Sequence, residues 1–227
     1  MVIEEISIKN NKYPIQLRNI YDPPTKLYVL GNKDILNERS IAIVGSRNAT
    51  KYGKSIAAKM AKELTDAGIN IISGLALGID TCAHLGSLQS EIGGKTIAIL
   101  GNGLDMIYPA QNRDLARQII KKGGCLISEY SLGTKPEKIN FPKRNRLISG
   151  LSDGILIVEA NKESGALITA EFGLEQGKEI YVIPGDINRK QSEGCNLLIK
   201  DGAQLVISSE EIIQEVLHNY KKREFDK

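Results

Sequence analysis

The chain has 227 residues, of which 41% are hydrophobic and 25% charged. This composition excludes a disordered chain and a miniprotein that depends on disulfides. Its apolar runs are far shorter than the ~20 residues of a membrane span, and its acidic N-terminus is unlike a signal peptide, so no membrane association is expected. Cys82, Cys125 and Cys195 form no CxxC pair, which favours a reduced, cytoplasmic setting. The net charge of +3 is too small to indicate a partner.

From residue 41 onward, short apolar runs alternate with segments of helical period. The runs are rich in β-branched residues and bounded by glycine, as is typical of strands buried on both faces. Six strands are predicted, at residues 41–44, 69–73, 96–100, 125–128, 154–159 and 180–184. A helical stripe of Ile56, Met60 and Leu64 ends at Gly68. Further helices are predicted at residues 79–88, 114–121, 166–176 and 209–218. The alternation predicts an α/β fold, an extended Rossmann-like domain with a mostly parallel sheet flanked by helices.

The two ends of the chain differ from this pattern, so the Rossmann-like domain is assigned to residues 41–207. Residues 1–40 contain Pro14, Pro23 and Pro24 and have no regular period. We expect them to pack on the core as an extended arm along the sheet edge. Residues 208–227 are expected to form a C-terminal helix and a charged tail, YKKREFDK, that frays.

Small residues and a cation follow the predicted strands. Gly45, Ser46 and Arg47 follow the first strand, Gly74 the second, and Ser164 lies beyond the fifth. Ligands of open α/β sheets bind beyond the carboxyl ends of the strands, where glycine admits an anion and helix N–H groups point at it. This predicts a phosphate-binding rim, with Arg47 as a bidentate ligand. The alternatives are ordinary turn glycines and a surface ion pair. Neither GxGxxG nor GxxxxGK[ST] occurs, so the sequence indicates neither a dinucleotide site nor a P-loop NTPase.

A basic segment, KPEKINFPKRNRLISGLSDG, covers residues 135–154. Phe141 and a single acid, Glu137, lie among its five cations, which are Lys135, Lys138, Lys143, Arg144 and Arg146. Cations beside an aromatic ring that can stack on a base are typical of single-strand recognition. The alternative is a solvated charge run in which Phe141 anchors a loop and Arg144 or Arg146 caps carbonyl groups.

Catalytic and metal-binding patterns are weak. Cys82 and His84 are two residues apart on a predicted helix and therefore point to different faces. No metal-ligand spacing is present, and no cofactor is expected. Paired carboxylates at the rim would keep a hydrolase possible, although such acids more often cap helices or hold an arginine. The candidate acids are Asp80, Glu129, Glu159 and Glu171.

Eight segments in order resemble the DNA-processing protein A family, also called Smf. They are IAIVGSRNATKYG, SGLALGIDTCAH, GNGLDMIYP, GGCLISEY, FPKRNRLISGLS, VEANKESGALITAEFGLEQGK, VIPGDI and EGCNLLIKDGA. The match runs from about Tyr13 to Val206. The resemblance implies an extended Rossmann fold that binds single-stranded DNA and loads the RecA recombinase onto it during natural transformation. It also implies a homodimer formed through the C-terminal part of this domain, the region to which RecA contact is attributed.

By motif position, the resemblance implies that Arg47 grips a phosphate, with backbone and hydroxyl contacts from Gly45 and Ser46. It further implies that Lys138 supplies a cation and that Phe141 stacks on a base. Lys143, Arg144 and Arg146 would continue the basic surface, whereas Asn145 would contact DNA or hold the loop. Two departures stand out: Leu77 occupies a position where the family usually has arginine, and Phe172-Gly173 replaces small residues.

These features favour a non-enzymatic DNA-binding protein, and two alternatives from other classes remain open. Nucleoside-monophosphate phosphoribohydrolases of the lysine-decarboxylase-like Rossmann group share the layout. Their PGGxGTxxE signature is missing, and SGALITAE retains only its threonine and Glu171. A regulatory module that senses a small nucleotide is the other alternative.

Overall fold

The computed structural model describes residues 2–225, with side chains described through residue 218. The strands are Glu4–Ser7 (β1), Lys26–Gly31 (β2), Ser40–Val44 (β3), Asn70–Ser73 (β4), Thr96–Leu100 (β5), Cys125–Ser128 (β6), Gly154–Ile157 (β7), Glu179–Val182 (β8) and Gln204–Leu205 (β9). The helices are Ile15–Arg18 (α1), Lys51–Asp66 (α2), Ile79–Leu88 (α3), Arg113–Lys121 (α4), Asn140–Leu151 (α5), Gly165–Glu175 (α6), Glu193–Lys200 (α7) and Ser209–Phe225 (α8).

The strands form one sheet in the order β1-β2-β6-β5-β4-β3-β7-β8-β9. All pairs from β6 to β9 are parallel, which confirms the predicted α/β architecture. Strand β3 lies at the topological switch point, where Ile41 pairs with Ile71 of β4 on one side and Gly154 of β7 on the other. The connections leave β3 in opposite directions there, and this opens a crevice at the carboxyl ends of β3 and β7.

Helices cover both faces of the sheet. One face packs against α1, α5 and α6, through residues such as Leu17, Leu147 and Ala170. The other face packs against α2, α3 and α8, and the predicted stripe residues Met60 and Leu64 are buried there. This three-layer core fixes where the helices begin at the carboxyl edge of the sheet. Across residues 2–225, no helix is both long enough and apolar enough to cross a membrane.

Strands β1 and β2 of the N-terminal segment extend one edge of the sheet, along which the sequence predicted an extended arm. Strand β1 pairs antiparallel with β2, and β2 pairs antiparallel with β6. The alternation of buried Leu27 and Val29 with half-buried Tyr28 is the period of two that the sequence interpretation missed. Tyr13 is fully buried, and its hydroxyl donates a 2.7 Å hydrogen bond to the Pro24 carbonyl, which anchors the segment between the two strands.

Three helical features differ from the sequence prediction. The basic segment was interpreted as a loop, but residues 140–151 form α5. Pro142 fits there because it lies in the first turn, where its missing N–H has no helical partner to lose. Helix α7 was not predicted. Helix α8 continues to Phe225, so the charged tail is helical as far as that residue, and residues 226–227 lie outside the described part of the chain.

Candidate functional site

A pocket of about 550 Å³ opens at the switch point. Its walls come from the loops that follow β3, β4, β5, β6 and β7 and from the first turns of α5 and α6. We call it the switch-point pocket. Its polar and aromatic lining includes Ser46, Arg47, Tyr108, Lys138, Phe141 and Ser164. The structure therefore brings together the β3 loop and the basic segment, which are about 90 residues apart in sequence.

The loop after β3 is held by backbone contacts on both sides. The Ser46 N–H donates a 2.6 Å hydrogen bond to the Glu159 carbonyl beyond β7, so this N–H is engaged within the protein. The Ser46 hydroxyl accepts from the Asn48 N–H at 3.1 Å and keeps its own proton for a ligand. At Gly78 (φ +81°), an added Cβ would lie 2.2 Å from the Ser46 carbonyl oxygen, so only glycine admits this approach.

Gly45 allows the β3 loop to pack closely on its neighbours. An added Cβ would lie 2.6 Å from Ile79 of α3 and 2.8 Å from the Glu159 carbonyl oxygen. Gly45 lines the pocket but serves this packing as well. Arg47, two residues after Gly45, is exposed at the pocket mouth. The predicted position of Arg47 beyond the first strand is thus the rim of a real pocket.

An aromatic pair lies beside Arg47. The guanidinium carbon of Arg47 lies 5.7 Å from the centroid of the Phe141 ring, a cation–π distance. The Tyr108 ring lies 5.5 Å from Phe141, tilted by 33°. One edge of the Phe141 ring packs against Gly101, where a Cβ added to the glycine would lie 3.0 Å from Cδ1 of Phe141. Phe141 is consequently half-buried, while 46% of Tyr108 is exposed.

Because the basic segment is a helix, its cations face different directions. Phe141, Arg144 and Asn145 line the pocket, as expected for helix positions three to four apart, and Lys138 lines it from the turn before α5. Lys143 and Arg146 do not line it. Arg144 and Arg146 are buried and do not extend the exposed basic surface that the sequence predicted for them, whereas the part assigned to Lys143 stays a prediction. Arg144 and Arg146 are only 3% and 6% exposed, and Lys143 is exposed outside the pocket.

Arg144 braces the ends of two strands. Its Nη1 donates to the Gly74 carbonyl at 2.9 Å and to the Ile99 carbonyl, which joins the ends of β4 and β5. Burial lowers the pKa of Arg144 to about 10, and the negative charge of Asp80 opposes that shift. Arg144 therefore stays charged at neutral pH and adds a fixed positive charge to the floor of the pocket.

Gly74 accepts the hydrogen bond of Arg144, and its backbone groups are already hydrogen-bonded within the protein. The Gly74 N–H donates to the Asp80 carboxylate at 3.1 Å, and its carbonyl accepts from Arg144. An added Cβ would lie 2.6 Å from the Arg144 guanidinium. The prediction that Gly74 contacts an anion is corrected, because both of its hydrogen-bonding groups are engaged within the protein.

Arg146 and Asn145 also hold the structure. The two Nη atoms of Arg146 donate to both carboxylate oxygens of Glu129 at 2.7 Å, and Nε donates to the Asp22 carbonyl at 3.1 Å. Asn145 donates to the Gly165 carbonyl at 3.1 Å and so joins α5 to α6. The sequence alternative in which an arginine of this segment caps carbonyl groups is confirmed for both arginines.

The start of α6 forms the opposite wall. Ser164 is its N-cap and accepts a 3.4 Å hydrogen bond from the Ala166 N–H. The Ser164 hydroxyl lines the pocket, and the positive end of the helix dipole faces the same space. Glu163 also lines this wall and is exposed. Tyr108 and Glu163 are polar lining residues that the sequence analysis did not single out, whereas Asp80 was named there only as a candidate acid. Tyr108 could have been found from its place in the glycine-rich loop after β5.

The candidate acids are engaged in structural contacts. Glu159 accepts from the Thr50 N–H at 2.8 Å and the Thr50 hydroxyl at 2.9 Å, at the start of α2. Glu129 pairs with Arg146, and Asp80 accepts from the N–H groups of Gly74 and Ala76. The sequence alternative, in which such acids cap helices or hold an arginine, is confirmed for Glu159 and Glu129, whereas Asp80 holds the loop after β4. Glu171 is exposed on α6 and does not line the pocket.

His84 and the cysteines offer no nucleophile. The His84 ring is buried, and its Nδ1 lies 2.6 Å from the Thr96 hydroxyl. Burial and the charge of Arg144 lower the pKa of His84 to about 3, so it is neutral. Burial raises the pKa of Cys82, which disfavours its thiolate. Over the described part of the chain, no cluster of three or more His, Cys, Asp or Glu residues could hold a metal ion.

The fold and the pocket define a class of protein: an open α/β domain that presents cations and aromatic rings at its switch point. Within that class, the chain belongs to the DNA recombination-mediator protein A family, whose model matches residues 4–217. It is similar to DNA processing protein DprA of Streptococcus pneumoniae, with 44% identity over 92% of this chain and 73% of the relative. The resemblance that the motifs indicated is thereby confirmed, and the chain is grouped with DNA-processing proteins.

Two solved structures share the architecture. The X-ray structure of DNA processing protein A from Streptococcus pneumoniae has a TM-score of 0.87 and 42% identity, covering 94% of this chain and 74% of that one. A structure of DNA processing protein A from Helicobacter pylori has a TM-score of 0.84 and 33% identity, covering 95% and 97%. The latter is described as showing a single-stranded DNA binding mode.

Proposed function

We propose that this chain binds single-stranded DNA in the switch-point pocket and acts as a recombination mediator. The observation that carries the proposal is the exposed pair of cations, Arg47 and Lys138, beside the aromatic ring of Phe141. The cations contact phosphates, and aromatic rings stack on unpaired bases. The single-stranded DNA binding mode described for the Helicobacter pylori relative supports the same interpretation.

The buried charges support the assignment of phosphate contacts to Arg47 and Lys138. Arg144 is tied to two carbonyl groups and Arg146 to Glu129, so neither can swing out to a ligand without losing those bonds. Hydroxyl groups of Ser46 and Ser164 add donors around the same space. A single strand fits such a concave site better than a duplex, because its bases are free to turn toward the rings.

We propose that the protein acts by binding and without bond cleavage. In support, Asp80, Glu129 and Glu159 each accept hydrogen bonds within the protein, which leaves them committed to structural contacts. We further place the activity in the cytoplasm, since all three cysteines are unpaired. Glu163 is an exposed carboxylate on the pocket wall that a hydrolase could use as a base. Nucleotide hydrolysis that is lost in Glu163→Gln would therefore contradict the proposal.

A homodimer that hands the strand to RecA recombinase completes the proposal. Strand β9 is the last strand of the sheet, and apolar side chains cluster in sequence around it and α7. These are Ile187, Leu197, Leu205 and Ile207, which are 85%, 40%, 45% and 78% exposed. Open strand edges and exposed apolar groups are features that a second subunit covers. Sedimentation velocity of Ile207→Glu tests this: a shift from dimer to monomer is expected, and an unchanged dimer contradicts the assigned face.

Fluorescence anisotropy with a labelled dT oligonucleotide and a matched duplex tests DNA binding. We expect tighter binding to the single strand, and weaker binding at higher salt because counterions are released when phosphates are contacted. Arg117→Ala is a suitable control, because Arg117 is an exposed arginine on α4 that lies outside the pocket. Equal binding to both DNAs, or binding that does not depend on salt, would contradict the proposal. Release of free base from a nucleoside monophosphate would support the hydrolase alternative instead.

A further inference from the structure

A smaller cavity of about 70 Å³ adjoins the switch-point pocket, and we call it the side slot. Leu77 and Pro109 form an apolar part of its lining, together with the rings of Tyr108 and Phe141. The residues that line both cavities are Arg47, Ala76, Tyr108, Phe141 and Arg144. Among them, Phe141 contacts both Arg47 and Tyr108, and we call these three side chains the partition between the two spaces.

The two rings of the partition are not equally open to a ligand. Phe141 is covered by Arg47 above its ring and by Gly101 at one edge, and Tyr108 packs against it. With a centroid separation of 5.5 Å, a base cannot enter between Tyr108 and Phe141, because two stacking contacts would need a wider gap. A base that reaches the side slot thus meets the outer surface of Tyr108, which is 46% exposed.

Arg144 also lines the slot, but its guanidinium is held by the Gly74 and Ile99 carbonyl groups. The rest of the lining suits a nucleobase better than a phosphate. Leu77 is 40% exposed and stands at the slot as an apolar side chain. Arg47 lies in the partition itself, within reach of a phosphate located between the two cavities. An apolar slot with one aromatic wall, separated from a second cavity by a cation, matches the alternation of base and phosphate along a single strand.

We propose that the side slot is a second nucleotide subsite and that Tyr108 stacks on its base. The switch-point pocket then holds one nucleotide, the base of the next lies over the mouth of the side slot against Tyr108, and Arg47 contacts the phosphate between them. The base lies over the mouth because a cavity of about 70 Å³ is too small to enclose a nucleotide. Phe141 remains the ring of the switch-point pocket and also contacts Tyr108 and Arg47. This inference rests on the proposed function, since it subdivides the same DNA-binding surface.

Affinity measurements with two kinds of oligonucleotide separate stacking from phosphate contact. We expect Tyr108→Ala to weaken binding of a dT oligonucleotide by about tenfold, the scale of one base-stacking interaction. Binding of an abasic oligonucleotide with the same number of phosphates should not change. Tyr108→Phe keeps the ring and should retain the affinity. Tyr21→Ala is the control, because Tyr21 is fully exposed in the N-terminal segment, outside both cavities.

A fluorescent reporter gives a direct second readout, because the chain contains no tryptophan. The introduced indole of Tyr108→Trp should be quenched when the dT oligonucleotide binds and should be unaffected by the abasic one. The indole of Tyr21→Trp should be unaffected by both. Thermal melting of each variant confirms that the fold is retained.

Each result decides between the possibilities. Equal weakening of the dT and abasic oligonucleotides by Tyr108→Ala would mean that Tyr108 only positions Arg47, and would overturn the stacking assignment. Unchanged dT affinity together with an unquenched indole would remove Tyr108 from the site. If the wild-type chain binds neither oligonucleotide, the proposed function itself fails, and this outcome is distinct from the loss of stacking alone.

Discussion

Two groups of cations lie at the same edge of the sheet and have different environments. Arg144 and Arg146 are 3% and 6% exposed and are tied to carbonyl groups and to Glu129. Arg47 and Lys138 are exposed at the mouth of the switch-point pocket. Burial, and not residue type, therefore separates the cations that hold the loops from the cations that are open to a ligand. We call them the bracing pair and the rim pair.

The bracing pair gives the rim its fixed geometry. Arg144 joins the ends of β4 and β5, and Arg146 joins α5 to the end of β6 through Glu129. A binding surface whose supports are already locked loses less conformational entropy when the ligand arrives. The two pairs should therefore respond in opposite ways to mutation: the bracing pair in stability, the rim pair in DNA affinity.

The largest effect is expected for Arg146→Ala. It leaves the buried Glu129 carboxylate without its bidentate partner, which typically costs about 3–5 kcal/mol of the free energy of unfolding. Chemical denaturation measures this loss. Arg117→Ala, which removes an exposed surface pair with Asp114, should cost less than about 1 kcal/mol.

A double variant tests the same prediction even if the Arg146→Ala protein does not fold. Replacing both partners, Arg146→Met with Glu129→Leu, removes the unpaired charge and should recover most of the stability. Equal, small losses for Arg146→Ala and Arg117→Ala would show that Arg146 does not brace the fold.

Arg47→Ala is expected to weaken binding of a dT oligonucleotide by about ten- to a hundredfold, the scale of a charge-assisted hydrogen bond. The free energy of unfolding should stay unchanged, because Arg47 is exposed. The salt dependence should also fall, by a slope of about 0.7 for each phosphate that the variant no longer neutralises. An unchanged affinity would remove Arg47 from the site and would break the distinction between the two pairs.

The free energy of unfolding should decrease at acidic pH because of His84, whose pKa is lowered by burial and by the charge of the bracing residue Arg144. Burial and the charge of Arg144 lower the pKa of His84 to about 3 in the folded protein, against about 6.5 when unfolded. Below pH ~6.5 the unfolded chain binds a proton that the folded chain does not, so stability falls as the pH falls toward 3, by about 1.4 kcal/mol per unit. Urea unfolding at pH 7.5, 6.5 and 5.5 measures the slope, which should be shallower in His84→Gln. Parallel slopes for the two proteins would contradict this role.

The smallest effect is expected for Lys138→Ala. A flexible lysine contacts a phosphate as a point charge, so its loss should weaken binding of the dT oligonucleotide only a few-fold, about 0.5–1 kcal/mol. Lys135→Ala is the matched control, since Lys135 is an exposed lysine of the same segment that does not line the pocket. If both variants lose the same affinity, the segment acts only through its total charge.

The sequence predicted the sheet well because its strands are buried on both faces and separated by glycine. Helix α3 was predicted at residues 79–88, the range that the structure has. The strands β1 and β2 were missed, since prolines between them obscured the short alternating pattern. Helix α5 was missed because its first turns are dense in cations and contain Pro142, which resemble a solvated loop.

The site was predicted in part for a similar physical reason. The position of Arg47 follows from a rule about parallel sheets, so it could be predicted from the end of a strand. The burial of Arg144 and Arg146 depends on partners such as Gly74 and Glu129, which are 70 and 17 positions away in the chain. Tyr108 escaped notice because its role depends on which cavity its loop enters, and no local pattern records that.

Photocrosslinking tests the central claim most directly. A dT oligonucleotide that carries 4-thiothymidine is bound, irradiated and digested, and the attached peptides are identified by mass spectrometry. We predict crosslinks in the β3 loop at residues 45–48, at Tyr108, and at residues 138–141. Crosslinks concentrated instead around β9 and Ile207, with none at these positions, would contradict a DNA site at the switch-point pocket.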